Sequence, residues 1–563
     1  MRASASDPSG FRHFLGDPAP ADRFTIDGIA YDPAVAAQRA RGLELMRRLA
    51  LRLEREPPPP GGSFDNPNIP SGYTYFLQLV AHDLVHSTAF LSLSEGRLAT
   101  IANTRSTPLR LETIFAEGPA ARPELYERKT EKSRFHPVLR VGPLREDGSL
   151  PIGGKARLRD EKLDIARGVC PFSNAPRATG LPEAIIGDAR NDDHPLLSQL
   201  VMLFHYVHNT ILDSIAAQPT HPAGSPFDAD HINFLCARAA TTLVYRNIIR
   251  QDLLTRLLHP EVRAAYERDP NLIQDQAVSP GEAWNAPFEL THSMLRAAHG
   301  MIRPSYRFNV RSPAEEFTLQ NMLLQSSDDQ PDQMPLQRKW AVDWSYFFGP
   351  APVNLSRLIR PHFDQHLSAP DVFPAENGDN VPGLAYRDLL SGIDTSPWSL
   401  AGLVRRLRPT HGPLLALSPF FPEPPPAGSV GGWETPLSDW LSAESASRLA
   451  DRFTNQDIAS LSKDPPLCVF IAFEALRDPA SNGGQRFGVL GSIILADVFY
   501  DILRNDQIVP GTMNSALPQQ MDALSRTVFP ASPNILSFIP DIATFDDLLD
   551  FMKPPRMPQF PST

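Results

Sequence analysis

A run of apolar residues, Gly72-Tyr-Thr-Tyr-Phe-Leu-Gln-Leu-Val-Ala-His-Asp-Leu84, carries three polar side chains, Gln78, His82 and Asp83. Tyr75, Leu79, Leu84 and Phe90 recur near a period of 3.6, which predicts a helix from about Tyr73 to Phe90. Side chains four apart share a helix face, so Gln78 and His82 project together. An imidazole or amide buried without a partner costs roughly 2–7 kcal/mol. A helix with this pattern therefore needs a polar structure to pack against, or a cavity to line. Taken alone, His82 reads equally well as a core histidine bonded to a carbonyl.

Two later segments repeat the pattern of polar residues set against apolar ones. Gly187-Asp-Ala-Arg190-Asn-Asp-Asp193 precedes an apolar helix expected over residues 196–215, which carries His208 and Asn209. Met294-Leu-Arg296-Ala-Ala-His299-Gly-Met-Ile-Arg-Pro304 places Arg296 and His299 one turn apart. Singly, Arg190 reads as a surface arginine and His299 as a helix-end histidine. Two apolar helices follow, in Pro465–Leu476 and Phe487–Phe499.

In this order and at these spacings, the segments resemble the animal haem peroxidase superfamily, the myeloperoxidase and cyclooxygenase relatives, from roughly residue 65 to residue 505. The closing helices resemble those of bacterial members. The resemblance implies a mainly α fold, a single large helical domain with long Pro-rich loops and little β structure. It divides the chain into an N-terminal arm and helix (1–64), a catalytic domain (65–505) and a C-terminal extension with a Pro-rich tail (506–563). It makes Gln78, His82 and Arg190 the distal catalytic set and His299 the proximal ligand of a haem iron. Arg296 and Asp388 fall on the proximal side, and Asp193 falls near the haem edge. In the family an Asn usually bonds the proximal histidine. Here Leu384-Ala-Tyr-Arg387-Asp388-Leu-Leu-Ser391 puts a carboxylate at that position, unless Asp388 pairs with its neighbour Arg387. Ser391 replaces an arginine that often meets a haem propionate, which leaves that task to Arg296.

Covalent haem links look mostly lost, because Ala81 and His194 stand where two of the linking residues would be. The resemblance implies haem b held non-covalently, or by one ester through Asp193. The Asp83 position belongs to a calcium site in the family, but Arg110 in the loop 106–112 stands where a carboxylate ligand is expected. A hard cation needs several oxygens, so the position reads as empty of calcium, with Arg110 paired to Asp83. Dioxygenating relatives carry Tyr three residues before the proximal histidine. Arg296 stands there, which is the pattern of the peroxidase branch.

The implied activity is oxidation of a halide or small organic donor by hydrogen peroxide, a role that fits an oxidative-stress response. His82 would move the peroxide proton, Arg190 would stabilise developing charge, and Gln78 would organise peroxide or halide. Three alternatives stand beside it. They are a non-catalytic haem-binding scaffold, a fatty-acid dioxygenase, and a zinc hydrolase using His82 and His86 at i and i+4. The last lacks a third ligand in the sequence.

Bulk properties agree with an ordinary globular chain of 563 residues. A net charge of −11 argues against nucleic acid or an anionic membrane as partner. With no run of eighteen apolar residues and no apolar leader, a cytoplasmic protein without a membrane span is expected. The three cysteines, Cys170, Cys236 and Cys468, are too scattered for a disulfide framework. Proline is the outlier at 58 residues. Runs such as 56–62 and 419–428 read as stiff linkers, and the ends before Asp32 and after about Lys553 as extended over the surface. Asp32-Pro33 is expected to open a helix to about Arg55, residues 228–258 to form one or two helices, and residues 138–141 to form small strands.

Overall fold

The computed structural model describes residues 10–54, 63–90, 100–105, 107–148, 158, 161–169, 182–217, 228–274, 284–311, 317–375, 381–443, 452–504 and 541–558. The first proline run, Cys170 and Ser106 lie outside the described residues. Helices carry most of the regular structure, and the described strands pair only two at a time. The mainly α architecture read from the sequence is the one observed.

The longer helices in chain order are α1 (Ala36–Leu53), α2 (Gly72–Leu84), α3 (Pro195–Ala216) and α4 (Ala229–Ile248). A composite segment follows, here α5. It comprises a π turn (Leu290–Met294), a helical turn (Leu295–Ala297) and a 3-10 turn (Ala298–Met301). Then come α6 (Leu384–Asp394), α7 (Leu400–Leu415), α8 (Leu467–Arg477) and α9 (Val489–Arg504). Helix α1 opens at Ala36 rather than at Pro33, because the Asp32 carboxylate accepts from the Ala34 N–H and closes a turn before it. The 228–258 region holds α4, with Asp228 as its N-cap, then a π turn and one further helical turn. Two-residue strands lie at Val138–Leu139 and Val141–Gly142.

Helix α2 stops at Leu84, six residues earlier than its periodicity suggests. Val85 is extended, and Ser87–Phe90 pairs antiparallel with Thr100–Asn103. Phe90 belongs to a strand, so its apparent place in the helical period is coincidental. At the other end, Gly72 touches the 347–348 segment so closely that a Cβ there would lie 2.4 Å from the Phe348 ring. Only glycine lets the chain enter α2 at this point.

The N-terminal end does not run over the surface as expected, whereas residues 553–556 near the other end are exposed, in line with the expectation. Phe11, Phe14 and Phe24 are buried in the same core cluster as α2, α3, α8 and α9. Phe11–Arg12 pairs in parallel with Ala286–Pro287, just before α5, and buried Glu289 accepts from the Phe14 N–H at 2.7 Å. At the far end Phe545 stacks on Phe348 at 3.8 Å between ring centroids. In the 419–428 run, Phe420 and Phe421 are buried, so their apolar surface anchors what composition alone reads as a linker. No helix among the described residues is long and apolar enough to cross a membrane.

Candidate active site

One cleft of about 970 Å³ is lined by residues of α2, the 187–194 segment, α5 and the start of α6. Gln78, His82, Arg190, Asp193, Arg296 and His299 all line it. Asp388 lies one layer behind, buried, and Asp83 lies outside the lining.

On the α2 wall, the Asn191 amide donates to Thr113, at 2.7 Å to Oγ1 and 3.2 Å to the carbonyl. That fixes its oxygen toward His82 Nδ1, 3.0 Å away. Nδ1 must therefore carry the proton, and Nε2 is left as the basic nitrogen. Burial, and then the charge of Arg190, lower the His82 pKa to about 3. The ordinary imidazole range assumed for proton transfer thus gives way to a ring that stays neutral far into acid.

Arg190 is positioned as tightly as His82. Its Nε and Nη2 grip the two Asp188 oxygens at 3.1 and 2.7 Å, and Nη2 also donates to the His82 carbonyl at 3.1 Å. Arg105 donates to the same carbonyl at 3.0 Å and pairs with the same carboxylate. Against burial, which would raise it, the Arg190 contact and the neighbouring cations hold the Asp188 pKa down to about 2. A guanidinium bound this way keeps its place before any ligand arrives.

Gln78 accepts at Oε1 from His194 Nε2, 3.0 Å away. Asp193 presents its carboxyl to the solvent of the cleft yet is walled by protein. Enclosure raises its pKa to about 7, Arg190 opposes that shift, and Asp192, Asp188 and Asp328 add to it. His86 also lines the cleft, but its Nδ1 bonds Thr104 Oγ1 at 2.8 Å while His82 Nδ1 bonds Asn191. Among the described residues no group of three or more His, Cys, Asp or Glu is placed to hold a metal ion. His208 is remote from this chemistry; it bonds the Pro137 carbonyl, and Asn209 bonds the backbone of Leu139.

On the α5 wall, His299 Nδ1 lies 2.6 Å from Asp388 Oδ2, and Arg296 Nη1 lies 3.2 Å from Asp388 Oδ1. Asp388 therefore backs the histidine. Arg387 instead donates to the Pro374 carbonyl at 2.5 Å and sits over the Phe373 ring, lining the cleft. The His299 ring meets the edge of Phe363, 5.9 Å between centroids. Gly300 is required beside it, since a Cβ there would lie 2.6 Å from the Arg360 carbonyl. With Nδ1 engaged by a carboxylate, Nε2 is the nitrogen left to ligate.

Asp83 accepts from the N–H groups of Leu111 and Thr113 at 2.8 and 3.3 Å. Burial raises its pKa to about 6, and Arg105 is the cation that offsets this most. The opposite charge facing Arg110 is that of Glu112. The anticipated Arg110–Asp83 pair is therefore replaced by backbone donors and Arg105.

The cleft fits a haem on three counts. Its volume lies at the top of the ~300–1,000 Å³ usual for cofactor sites. An imidazole Nε2 is available with a carboxylate behind it. The walls combine apolar side chains such as Leu295, Leu323, Leu384 and Phe373 with two cations, Arg296 and Arg387, suited to carboxylates.

No family model matches the chain, and no curated protein matches it in sequence. Solved structures do match in shape. Peroxidase A from Dictyostelium discoideum superposes with a TM-score of 0.50 at 11% identity, covering 95% of this chain and 96% of that one. A fatty acid alpha-dioxygenase of Oryza sativa gives 0.53 at 12% identity, covering 98% and 86%. A fatty acid alpha-dioxygenase of Arabidopsis thaliana gives 0.52 at 11% identity, covering 96% and 79%. Identities this low establish the fold. It is shared by a peroxidase and by dioxygenases.

Proposed function

We propose that this chain is a haem-dependent oxidoreductase, and specifically a peroxidase that uses hydrogen peroxide to oxidise a halide or small organic donor. One observation carries this reading. A single cleft is lined by His82, fixed with Nε2 bare, and by His299, whose Nδ1 is held 2.6 Å from a buried carboxylate. A scaffold has no use for a tautomer-locked neutral base beside a preorganised guanidinium.

Haem b would be held by His299, with Arg296 and Arg387 meeting its carboxylates. When bound, the haem supplies a redox centre that accepts electrons from the donor. The protein's own residues do the rest. His82 Nε2 takes a proton from one peroxide oxygen and returns it to the departing one. Arg190, fixed by Asp188, stabilises negative charge as the O–O bond breaks. Gln78 presents its amide to the bound peroxide or halide. Asp388 makes His299 more imidazolate-like, which favours the oxidised metal. An ester through the Asp193 carboxyl is the alternative to a non-covalent haem, and acid extraction of the haem distinguishes a linked cofactor from a free one. The Asp83 position needs no calcium in this account, a point that metal analysis of the purified protein tests.

The dioxygenase reading draws support from the equal shape similarity to the plant enzymes. Against it, Arg296 stands one turn before His299 and is committed to Asp388, so no phenol is available there. The deciding experiment gives haem-loaded protein either hydrogen peroxide with bromide or a phenol, or a long-chain fatty acid with oxygen. Oxidised donor in the first arm supports the peroxidase. Oxygen uptake only in the second transfers the assignment to lipid dioxygenation.

A further inference from the structure

Between Gln78 and helix α3 lies a side chain with no part in the proton transfer described above. His194 is buried and is the N-cap of α3. Its Nδ1 accepts from the backbone N–H of Leu197 at 3.3 Å. A backbone N–H can only donate, so Nδ1 carries no proton and Nε2 must carry it. Nε2 in turn lies 3.0 Å from Gln78, so it donates to the amide oxygen. The Tyr75 ring meets the imidazole edge-on, 5.0 Å between centroids, which backs the ring in this orientation. Burial keeps the ring neutral, with its pKa lowered to about 3.

An amide has two nearly isosteric orientations, one presenting N–H and one presenting C=O. We propose that His194 is a positioning residue that sets this polarity. By holding the Gln78 oxygen, it turns the amide N–H groups into the cleft and makes that wall a donor site for a small anion or for the developing oxyanion of peroxide. The chain of constraint runs from the first turn of α3, through the imidazole tautomer, to the face Gln78 shows its ligand. Rotating the amide would set C=O against the cleft and two donors, Nε2–H and the amide N–H, against each other. The inference rests on reading Gln78 as part of the reacting wall, but its geometric core stands without any cofactor.

Fluoride binding to the haem-loaded protein, followed by absorption, reads donors on this wall, with carbon monoxide binding to the reduced protein as a control for an intact pocket. Asn is a good N-cap but too short to reach Gln78, so His194→Asn keeps the helix start and loses the anchor. We expect fluoride affinity to fall about tenfold in His194→Asn, the value of one charge-assisted hydrogen bond, with carbon monoxide affinity unchanged. His194→Gln, whose amide can again donate to Gln78, should recover most of the loss. Unchanged fluoride affinity in His194→Asn overturns the proposal, and so does equal loss of both ligands. Where the variant fails to fold or the wild type takes up no haem, ¹⁵N resonances of histidine in the haem-free protein decide the matter. His194 should be the neutral Nε2–H tautomer, and an Nδ1–H or cationic ring near neutral pH contradicts the proposal. Absence of haem binding alone refutes the peroxidase and leaves the tautomer reading to be settled separately.

Discussion

His82 and His299 are the same side chain on two walls of one cleft, and they differ in what stands behind them. His82 Nδ1 faces a neutral amide at 3.0 Å, with the cation Arg190 nearby. His299 Nδ1 faces a carboxylate at 2.6 Å. Both contacts fix the tautomer and leave Nε2 for the cleft. The amide adds no charge, so burial and Arg190 depress the basicity of His82. The carboxylate adds a negative charge, so electron density is pushed toward Nε2 of His299. On the proposed reading, the backing group rather than the histidine separates a neutral proton acceptor from a metal ligand.

The largest expected effect breaks the α5 wall. His299→Ala should weaken haem binding by at least about a hundredfold, judged by titrating haem into the variant, since second-shell changes alone cost 10–100-fold. Next, His82→Ala should retain haem yet slow the reaction with peroxide by about 10²–10⁴-fold, the usual size of an acid–base contribution. Equal peroxide reactivity in that variant removes His82 from the mechanism. Asp388→Asn makes the two walls alike. It should weaken haem retention by about tenfold and raise the iron reduction potential, and an unchanged potential contradicts the imidazolate-like role.

The smallest effect concerns pH. The folded-state pKa of His82 lies near 3, below the ordinary value of 6.5. The neutral base is therefore present above about pH 4, and the peroxide reaction should lose rate only below it. Arg190→Gln removes a cation that lowers this pKa, so the acid limb should move upward toward 6.5. The same shift affects stability. The unfolded chain binds a proton at His82 before the folded one does, so stability falls as pH drops from about 6.5 toward 3, by up to about 1.4 kcal/mol per pH unit for each such histidine. Chemical denaturation at several pH values, with and without Asn191→Asp, measures it. The carboxylate in that variant should raise the His82 pKa and flatten the dependence.

The set of residues that line this cleft was legible in the sequence through the family resemblance, and spacing added which of them share a face. Gln78 and His82 are four apart on α2, and Arg296 and His299 are three apart on α5, so each pair meets the cleft together. What was missed depends on contacts between distant segments. Asn191 and His194 orient His82 and Gln78, but the separations of 109 and 116 residues leave no local trace. Nothing in the sequence singles out Asp188 or Arg105, which the fold joins through the carboxylate that also holds Arg190. A choice that sequence left open, Asp388 with Arg387 or with His299, was settled by the direction in which the helix turns each side chain. The fold class was readable from the same resemblance, which spans most of the chain. The length of α2 was not, since the Ser87–Phe90 strand pairs with residues past a segment whose sequence gives no signal of it.

The most direct test is rapid-mixing absorption of the haem-loaded protein with one equivalent of hydrogen peroxide, repeated from about pH 4 to 8. The account predicts a Soret band that shifts on mixing, at a rate nearly flat across that range, because His82 stays neutral throughout it. A Soret band inert to peroxide, or a rate that falls by half near pH 6.5, contradicts it.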